Sequence, residues 1–148
     1  LSLSDELTSA CLFLSGKSNE ASHFIRERTI AHPNDPDLKA FSLRLMLARA
    51  EYEQVVPAID SERKFEDYYI PIKMKACIEI KDLNCLQNVL ALASPIQKIS
   101  TNGLLAAAMV AAETGRHDES FSYIEKGLQQ SPYYMPLIKL RSTLEKSR

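Results

Sequence analysis

The chain repeats one short pattern at a distance of 99 residues. Gly16–Ala21 resembles Gly115–Ser120, and a proline follows each of the two glycines 17 residues later. Two further copies fit between them and begin at Ala50 and Lys81, so that successive copies start 34, 31 and 34 residues apart. A period near 34 made of two helices is typical of stacked helical repeats, because each pair leaves an apolar face that its neighbour covers.

The apolar residues recur at helical spacing nearly throughout the chain. Leu38, Phe41, Leu45 and Ala48, for example, share one face of a helix, and no sustained alternating stretch competes with such patterns. The sequence therefore predicts an all-α protein. The predicted helices span residues 3–15, 19–31, 36–49, 53–62, 68–80, 83–93, 101–114, 118–130 and 134–146. Short connections between segments of this length predict that consecutive helices pack antiparallel.

Turn residues separate these helices. Asp35-Pro36 suits the start of a helix, with Asp35 as the N-cap and Pro36 in the first helical position. Gly16 and Gly115 are expected to end helices in a left-handed conformation. Asn19 and Asp118 are then expected to cap the helices that follow.

Four prolines mark further boundaries or disturbances. Ser94-Pro95 and Ser131-Pro132 each predict the end of one helix and the start of another segment. Pro57 and Pro71 fall inside or near the start of predicted helices. A kink or a shifted helix start is therefore expected within residues 53–70.

Charge and hydropathy exclude several classes of protein. The 148 residues carry 18 basic and 19 acidic side chains, so nothing favours a nucleic acid as the partner. The longest apolar stretch, Leu104–Ala112, has nine residues, whereas a membrane span needs about 20. No signal-peptide pattern opens the chain, and a cytoplasmic location is expected. Because the first residue is Leu1, the chain is also expected to be a fragment of a longer protein.

The reactive side chains form no recognisable catalytic or metal-binding pattern. The three cysteines are odd in number and lack a CxxC pair, which predicts small buried side chains, no disulfide framework and a reducing compartment. The three histidines are scattered, and no phosphate-binding loop or nucleophile motif is present. The acidic residues between Glu51 and Asp67 are interrupted by Arg63 and Lys64, as on a solvated face. No enzyme activity, cofactor or metal is expected.

Residues at fixed places in the repeat resemble the tetratricopeptide repeat family. That family prefers a turn glycine, an acidic helix start, a large apolar residue, a small residue and a closing proline. The last copy matches at Gly115, Asp118, Glu119, Ile124, Gly127 and Pro132, and the first copy matches at Gly16, Glu20, Ala21, Ile25 and Pro33. The resemblance implies a right-handed α-α superhelix that forms a single domain over residues 1–148. Its four repeats would span 2–35, 36–66, 67–100 and 101–133, with a capping helix at 134–146.

The chain departs from the family at two places in the first helix of each pair. The usual large aromatic residue is replaced by Asp5, Lys39, Ile70 and Leu104. The small residue expected one turn later is Ser9, Leu43, Met74 and Ala108, so only the first and last copies fit. The two middle copies also lack the closing proline. An unrelated α-α solenoid is the alternative.

The resemblance implies a concave groove lined by the first helix of each pair. The candidates for that surface are Phe41, Arg44, Leu47, Tyr68, Ile72, Lys75, Leu105 and Met109. The alternative is that many of the apolar ones are core side chains shared between the two helices of a pair. The same phase adds Leu3, Glu6, Leu7, Phe13, Ile78 and Glu113. Arg44 and Lys75 occupy equivalent positions in consecutive repeats and are expected to project side by side. Apolar walls with two cations suit a partner peptide or helix that carries apolar anchors and an acidic group.

Three functions are open at this point. The leading one is a scaffold that binds a segment of another protein, as an adaptor, an assembly factor or a chaperone. The second is a sensory or regulatory domain of a larger protein such as a transcription regulator. The third is a homo-oligomer formed through terminal helices, because the last helix opens with the apolar residues Tyr133, Tyr134, Met135 and Leu137.

Overall fold

Every regular element is an α-helix in the computed structural model, which describes residues 3–62 and 64–147, with side chains from residue 8 onward. The helices are α1 (Leu3–Leu14), α2 (Ser18–Ala31), α3 (Pro36–Ala48), α4 (Tyr52–Asp60), α5 (Tyr69–Ile80), α6 (Leu83–Leu92), α7 (Pro95–Lys98), α8 (Thr101–Glu113), α9 (His117–Gln130) and α10 (Met135–Lys146). The all-α prediction is confirmed, and the nine predicted helices end within two residues of the observed ones. None of the described helices is long and apolar enough to cross a membrane.

A residue with positive φ stands in the turn between the two helices of each pair. The φ angles are 81° at Gly16, 59° at Ala50, 55° at Lys81 and 76° at Gly115. These four residues are the ones that define the 34, 31 and 34 spacing in the sequence. The predicted left-handed ends at Gly16 and Gly115 are confirmed, and two residues with side chains adopt the same conformation.

Each turn also closes with the same backbone hydrogen bond. The N–H after the left-handed residue donates to the carbonyl five residues earlier: Lys17 to Leu12 at 2.8 Å, Glu51 to Met46 at 2.9 Å, Asp82 to Cys77 at 3.4 Å and Arg116 to Ala111 at 2.8 Å. This bond satisfies a carbonyl that the end of a helix would otherwise leave open. All four pairs thus reverse the chain by one local mechanism.

The helix starts agree only in part with the predicted caps. The Asp35 side chain accepts hydrogen bonds from the backbone N–H groups of Asp37 (2.9 Å) and Leu38 (3.3 Å), with Pro36 in the first position, as expected. Asn19 and Asp118 are not caps, because α2 and α9 begin one residue earlier, at Ser18 and His117. After tight left-handed turns the helices start immediately, so these side chains lie in the first turn.

Pro57 and Pro71 lie in or near the start of helices, as predicted, and the kink expected there stays a prediction. Pro57 lies inside α4, which has only nine residues, and Pro71 lies in the first turn of α5, where a missing N–H is tolerated. Ser94 begins the short helix α7, which was not predicted. The Ser94 side chain accepts from Gln97 N–H, while the Gln97 side chain accepts from Ser94 N–H in a capping box.

The chain forms two compact units, residues 1–62 and 63–148. In the first, α2 packs on α1 and α3, and α4 packs on α3. Its core includes Ala21, Ile25, Leu38 and Leu45, with Phe24 and Phe41 packed against them. In the second unit α5, α6, α8 and α9 pack in succession, and α10 lies on α9 and α8. The predicted single domain and its handedness stay predictions.

Positions that are equivalent in the repeat are buried in all four pairs. In the first helix they are Ser9, Leu43, Met74 and Ala108, and in the second helix they are Ala21, Val55, Leu86 and Ser120. In the last pair a hydrogen bond joins the two helices at these positions, because Ser120 Oγ donates to the Ala108 carbonyl oxygen at 2.8 Å. The middle pairs therefore keep the repeat by burying larger apolar side chains where the outer pairs bury small ones.

The expectation that the cysteines form no disulfide is wrong. Cys77 near the end of α5 and Cys85 at the start of α6 form a disulfide, with Cα atoms 5.5 Å apart. The left-handed turn between the two helices brings them together, which spacing along the sequence alone does not reveal. Cys77 and Cys85 are buried as expected, but Cys11 is exposed. Because two of the three cysteines form a disulfide, the cysteines no longer support the expectation of a reducing compartment.

We predict that Ala50→Gly stabilises the protein by a few tenths to about 1 kcal/mol. A left-handed residue with a Cβ costs about 1–2 kcal/mol, and the greater unfolded-state entropy of glycine offsets only part of that gain. Chemical unfolding measures the difference. The control is Ala48→Gly, at an exposed helical position, which should destabilise instead; equal losses for both variants would contradict the prediction.

We also predict that only one of the three cysteines reacts in a thiol titration of the unfolded, unreduced protein. Replacing Cys77 and Cys85 together by alanine should lower the free energy of unfolding by about 2–3 kcal/mol, since the short covalent loop restricts the unfolded chain. Cys11→Ala is the matched control and should leave stability unchanged because Cys11 is exposed. Three reactive thiols in the unreduced chain would refute the pairing.

Candidate partner-binding groove

A groove of about 630 Å³ lies in the unit of residues 63–148. One wall is the turn between α5 and α6, the floor includes α8, and the other wall is α10. Its larger apolar lining residues are Leu83, Leu86, Met109, Met135 and Leu140, of which Leu86 is buried and contributes almost no accessible surface. The volume is in the range of grooves that hold drug-sized ligands or the anchoring side chains of a partner.

A close helix contact sets the position of the α10 wall. Gly127 on α9 is buried, and a Cβ added there would overlap the side chain of Leu137 and contact Leu104 Cβ at 3.7 Å. Leu137 and Leu144 are the buried residues of α10. With that face against α9 and α8, the helix directs Met135, Lys139 and Leu140 to the groove.

The start of α10 is held by a hydrogen bond to α8. Tyr134 donates its hydroxyl proton to the Asn102 side-chain oxygen at 2.7 Å. Of the apolar residues that open this segment, Leu137 is buried, while Tyr133 and Met135 are exposed by 92% and 53%. Met135 is therefore an open apolar side chain on a wall that is itself fixed.

The charges around the groove balance. Glu79 and Glu113 contribute two carboxylates, and Lys81 and Lys139 contribute two ammonium groups. Glu79 Oε1 also pairs with Lys75 Nζ at 2.7 Å along α5. A lining with equal numbers of acids and bases around apolar side chains selects a partner by shape and apolar contact rather than by net charge.

The predicted site residues of this unit have different environments. Met109 lines the groove. Tyr68 is half-buried with its ring 4.5 Å from that of Tyr69, and Lys75 is half-buried in its ion pair. Ile72 and Leu105 are 5% and 2% exposed, so they belong to the core and offer no surface to a partner.

The predicted site residues of the unit 1–62 are likewise divided between core and surface. Phe41 packs partly against the core of α2 and α3, Leu47 is half-buried, and Arg44 is exposed. Phe13 is half-buried on α1. The side chains of Leu3, Glu6 and Leu7 lie outside the described residues. Helical phase alone does not separate a residue that faces its own pair from one that faces solvent.

Most of the residues that line the groove were not predicted from the sequence. Leu83 and Leu86 come from the second helix of a pair, and Met135 and Leu140 come from the last helix. From the sequence, the apolar start of the last helix is predicted to be a surface for self-association and not part of a groove. The repeated turn at Lys81 was the other sequence feature that pointed to the groove, because this turn places Leu83 beside it.

The comparisons with known proteins add no assignment to this geometry. The chain matches no protein-family model, and it matches no curated protein sequence.

We predict that Gly127→Ala destabilises the protein by about 1–3 kcal/mol, because the added methyl group overpacks a fully buried contact with Leu137. In a Leu137→Ala background the same substitution should become stabilising, by up to about 1 kcal/mol, since alanine is the better helix former. Chemical unfolding of the wild type, the two single variants and the double variant measures this reversal of sign. The same effect of Gly127→Ala in both backgrounds would refute the close contact.

Proposed function

We propose that this protein is an interaction module that binds a helical segment of a partner protein in the groove of α5, α6, α8 and α10. Three observations support this proposal. The groove is apolar at its centre, its charges balance, and one methionine in it is largely exposed. Exposed apolar side chains in a concave surface are typical of protein-binding sites.

The exposed Met135, which lines the same groove as Met109, is the observation that carries the proposal. Methionine side chains are flexible and polarisable, so they adapt to apolar side chains of differing shape. The partner is therefore inferred to be an amphipathic helix with one or two large apolar anchors at helical spacing. An adaptor, an assembly factor or a chaperone would use such a site.

The architecture proposed with this function is a tetratricopeptide-like right-handed superhelix. Four helix pairs with a left-handed residue at the same place in each turn support it. In that arrangement the first helices of the pairs line the concave surface, and Met109 and Glu113 on α8 belong to that set. The cytoplasmic location stays a prediction from the sequence, and the Cys77–Cys85 disulfide does not favour it.

A helical peptide selected from a displayed library against the wild-type protein tests the site. We predict that Met109→Lys plus Met135→Lys weakens its binding at least tenfold, because two charges would be buried under its apolar anchor. The matched control is Ile96→Lys, which changes an equally apolar residue that is 79% exposed on α7 outside the groove.

A second double variant separates this groove from the surface expected from sequence alone. Arg44→Glu plus Lys75→Glu should leave the affinity within about threefold if the partner occupies the groove at Met109 and Met135. The proposal would be overturned if the peptide bound the Arg44→Glu plus Lys75→Glu variant more weakly than the wild type but bound the Met109→Lys plus Met135→Lys variant equally well. The melting temperatures of all variants show whether each remains folded.

A further inference from the structure

A second cavity, of about 330 Å³, lies in the unit of residues 1–62. It is formed between α2, α3 and the first turn of α4. Its floor is apolar and consists of Ile25 and Leu45, both buried, with Met46 beside them. Its polar groups include hydroxyls and two guanidinium groups, which is an unusual concentration of hydrogen-bond donors above an apolar floor.

The first guanidinium belongs to Arg49, and its N–H groups bind side chains of the protein itself. Its Nη1 donates to Ser22 Oγ, its Nη2 donates to Asn19 Oδ1 at 3.3 Å, and its Nε pairs with Glu51 Oε1 at 3.1 Å. Arg49 thereby joins α3 to α2 and to the start of α4. Its charge is compensated by Glu51, so it forms a fixed wall of the cavity rather than an open binding group.

The second guanidinium belongs to Arg26. It lines the same cavity and is exposed, and within the described part of the chain no carboxylate pairs with it. The Ser22 oxygen accepts from Arg49, which leaves its own hydroxyl proton available. The Ser42 side chain has no hydrogen-bond partner among the described residues. One full positive charge and two hydroxyl donors therefore remain for a ligand.

We propose that this cavity binds a small organic carboxylate with a short apolar body. The carboxylate would pair with Arg26 and accept hydrogen bonds from Ser22 and Ser42, and the hydrocarbon would cover Ile25, Leu45 and Met46. A single negative charge matches the lining, in which Arg26 and Arg49 face only Glu51. A phosphate dianion would bring a second charge that no group in this lining compensates. The cavity volume is at the lower end of ligand sites, which suits a small acid.

Titration of the full chain with hexanoate, followed by methyl NMR of Ile25, Leu45 and Met46, tests the proposal. We expect saturable shifts of these methyl groups and at least a tenfold weaker affinity for Arg26→Gln. Ser42→Ala should weaken binding to a smaller degree. Arg28→Gln is the matched control, because Arg28 lies on the same helix over the Phe24 ring, 5.4 Å from its centre, and not in the cavity lining.

Two comparison ligands complete the experiment. Hexanol has the same body without the charge and should bind at least tenfold more weakly than hexanoate, and inorganic phosphate should not compete. Absence of saturable shifts at millimolar hexanoate, equal binding of hexanol, or unchanged affinity in Arg26→Gln would each overturn the assignment. Met109→Lys should leave hexanoate binding unchanged, so this test is independent of the partner-binding groove.

Discussion

The left-handed residue in each helix–turn–helix connection is the constraint on which the other features depend. In each turn of two or three residues between the helices of a pair, one residue adopts positive φ and the following N–H reaches back to the preceding helix. Glycine meets this requirement at the first and last turns, and Ala50 and Lys81 meet it at a cost in backbone energy. Because each turn has the same geometry, each pair buries equivalent positions, and the period of the sequence becomes a period of the core.

The same turns explain how the specific features of each unit arise. In the unit 1–62, the turn at Ala50 is flanked by Arg49 and Glu51, whose ion pair and contacts to α2 close one side of the small cavity. In the unit 63–148, the turn at Lys81 brings Cys77 to Cys85 and places Lys81 and Leu83 beside the large groove. The cavity and the groove therefore both lie next to turns.

Much of the fold was predictable because its determinants are local. Helical spacing, the Asp35 cap, the prolines and the glycines at 16 and 115 act within a few residues, and the helix bounds predicted from them agree closely with the structure. The two failed cap predictions are also local in origin. A capping role was expected for Asn19 and Asp118 because such residues commonly begin helices, whereas a tight left-handed turn lets each helix start one residue earlier.

The sequence by itself determined the all-helical class, the four helix pairs and their period, because backbone hydrogen bonds and turn conformations depend on neighbouring residues. Only the tertiary structure decided which side chains are accessible. Ile72 and Leu105 have the same helical phase as surface residues but are buried by packing, while Met109 and Met135 line one groove made by helices distant in sequence. The disulfide and the environment of Arg26 depend in the same way on contacts between helices, which no single helical pattern contains.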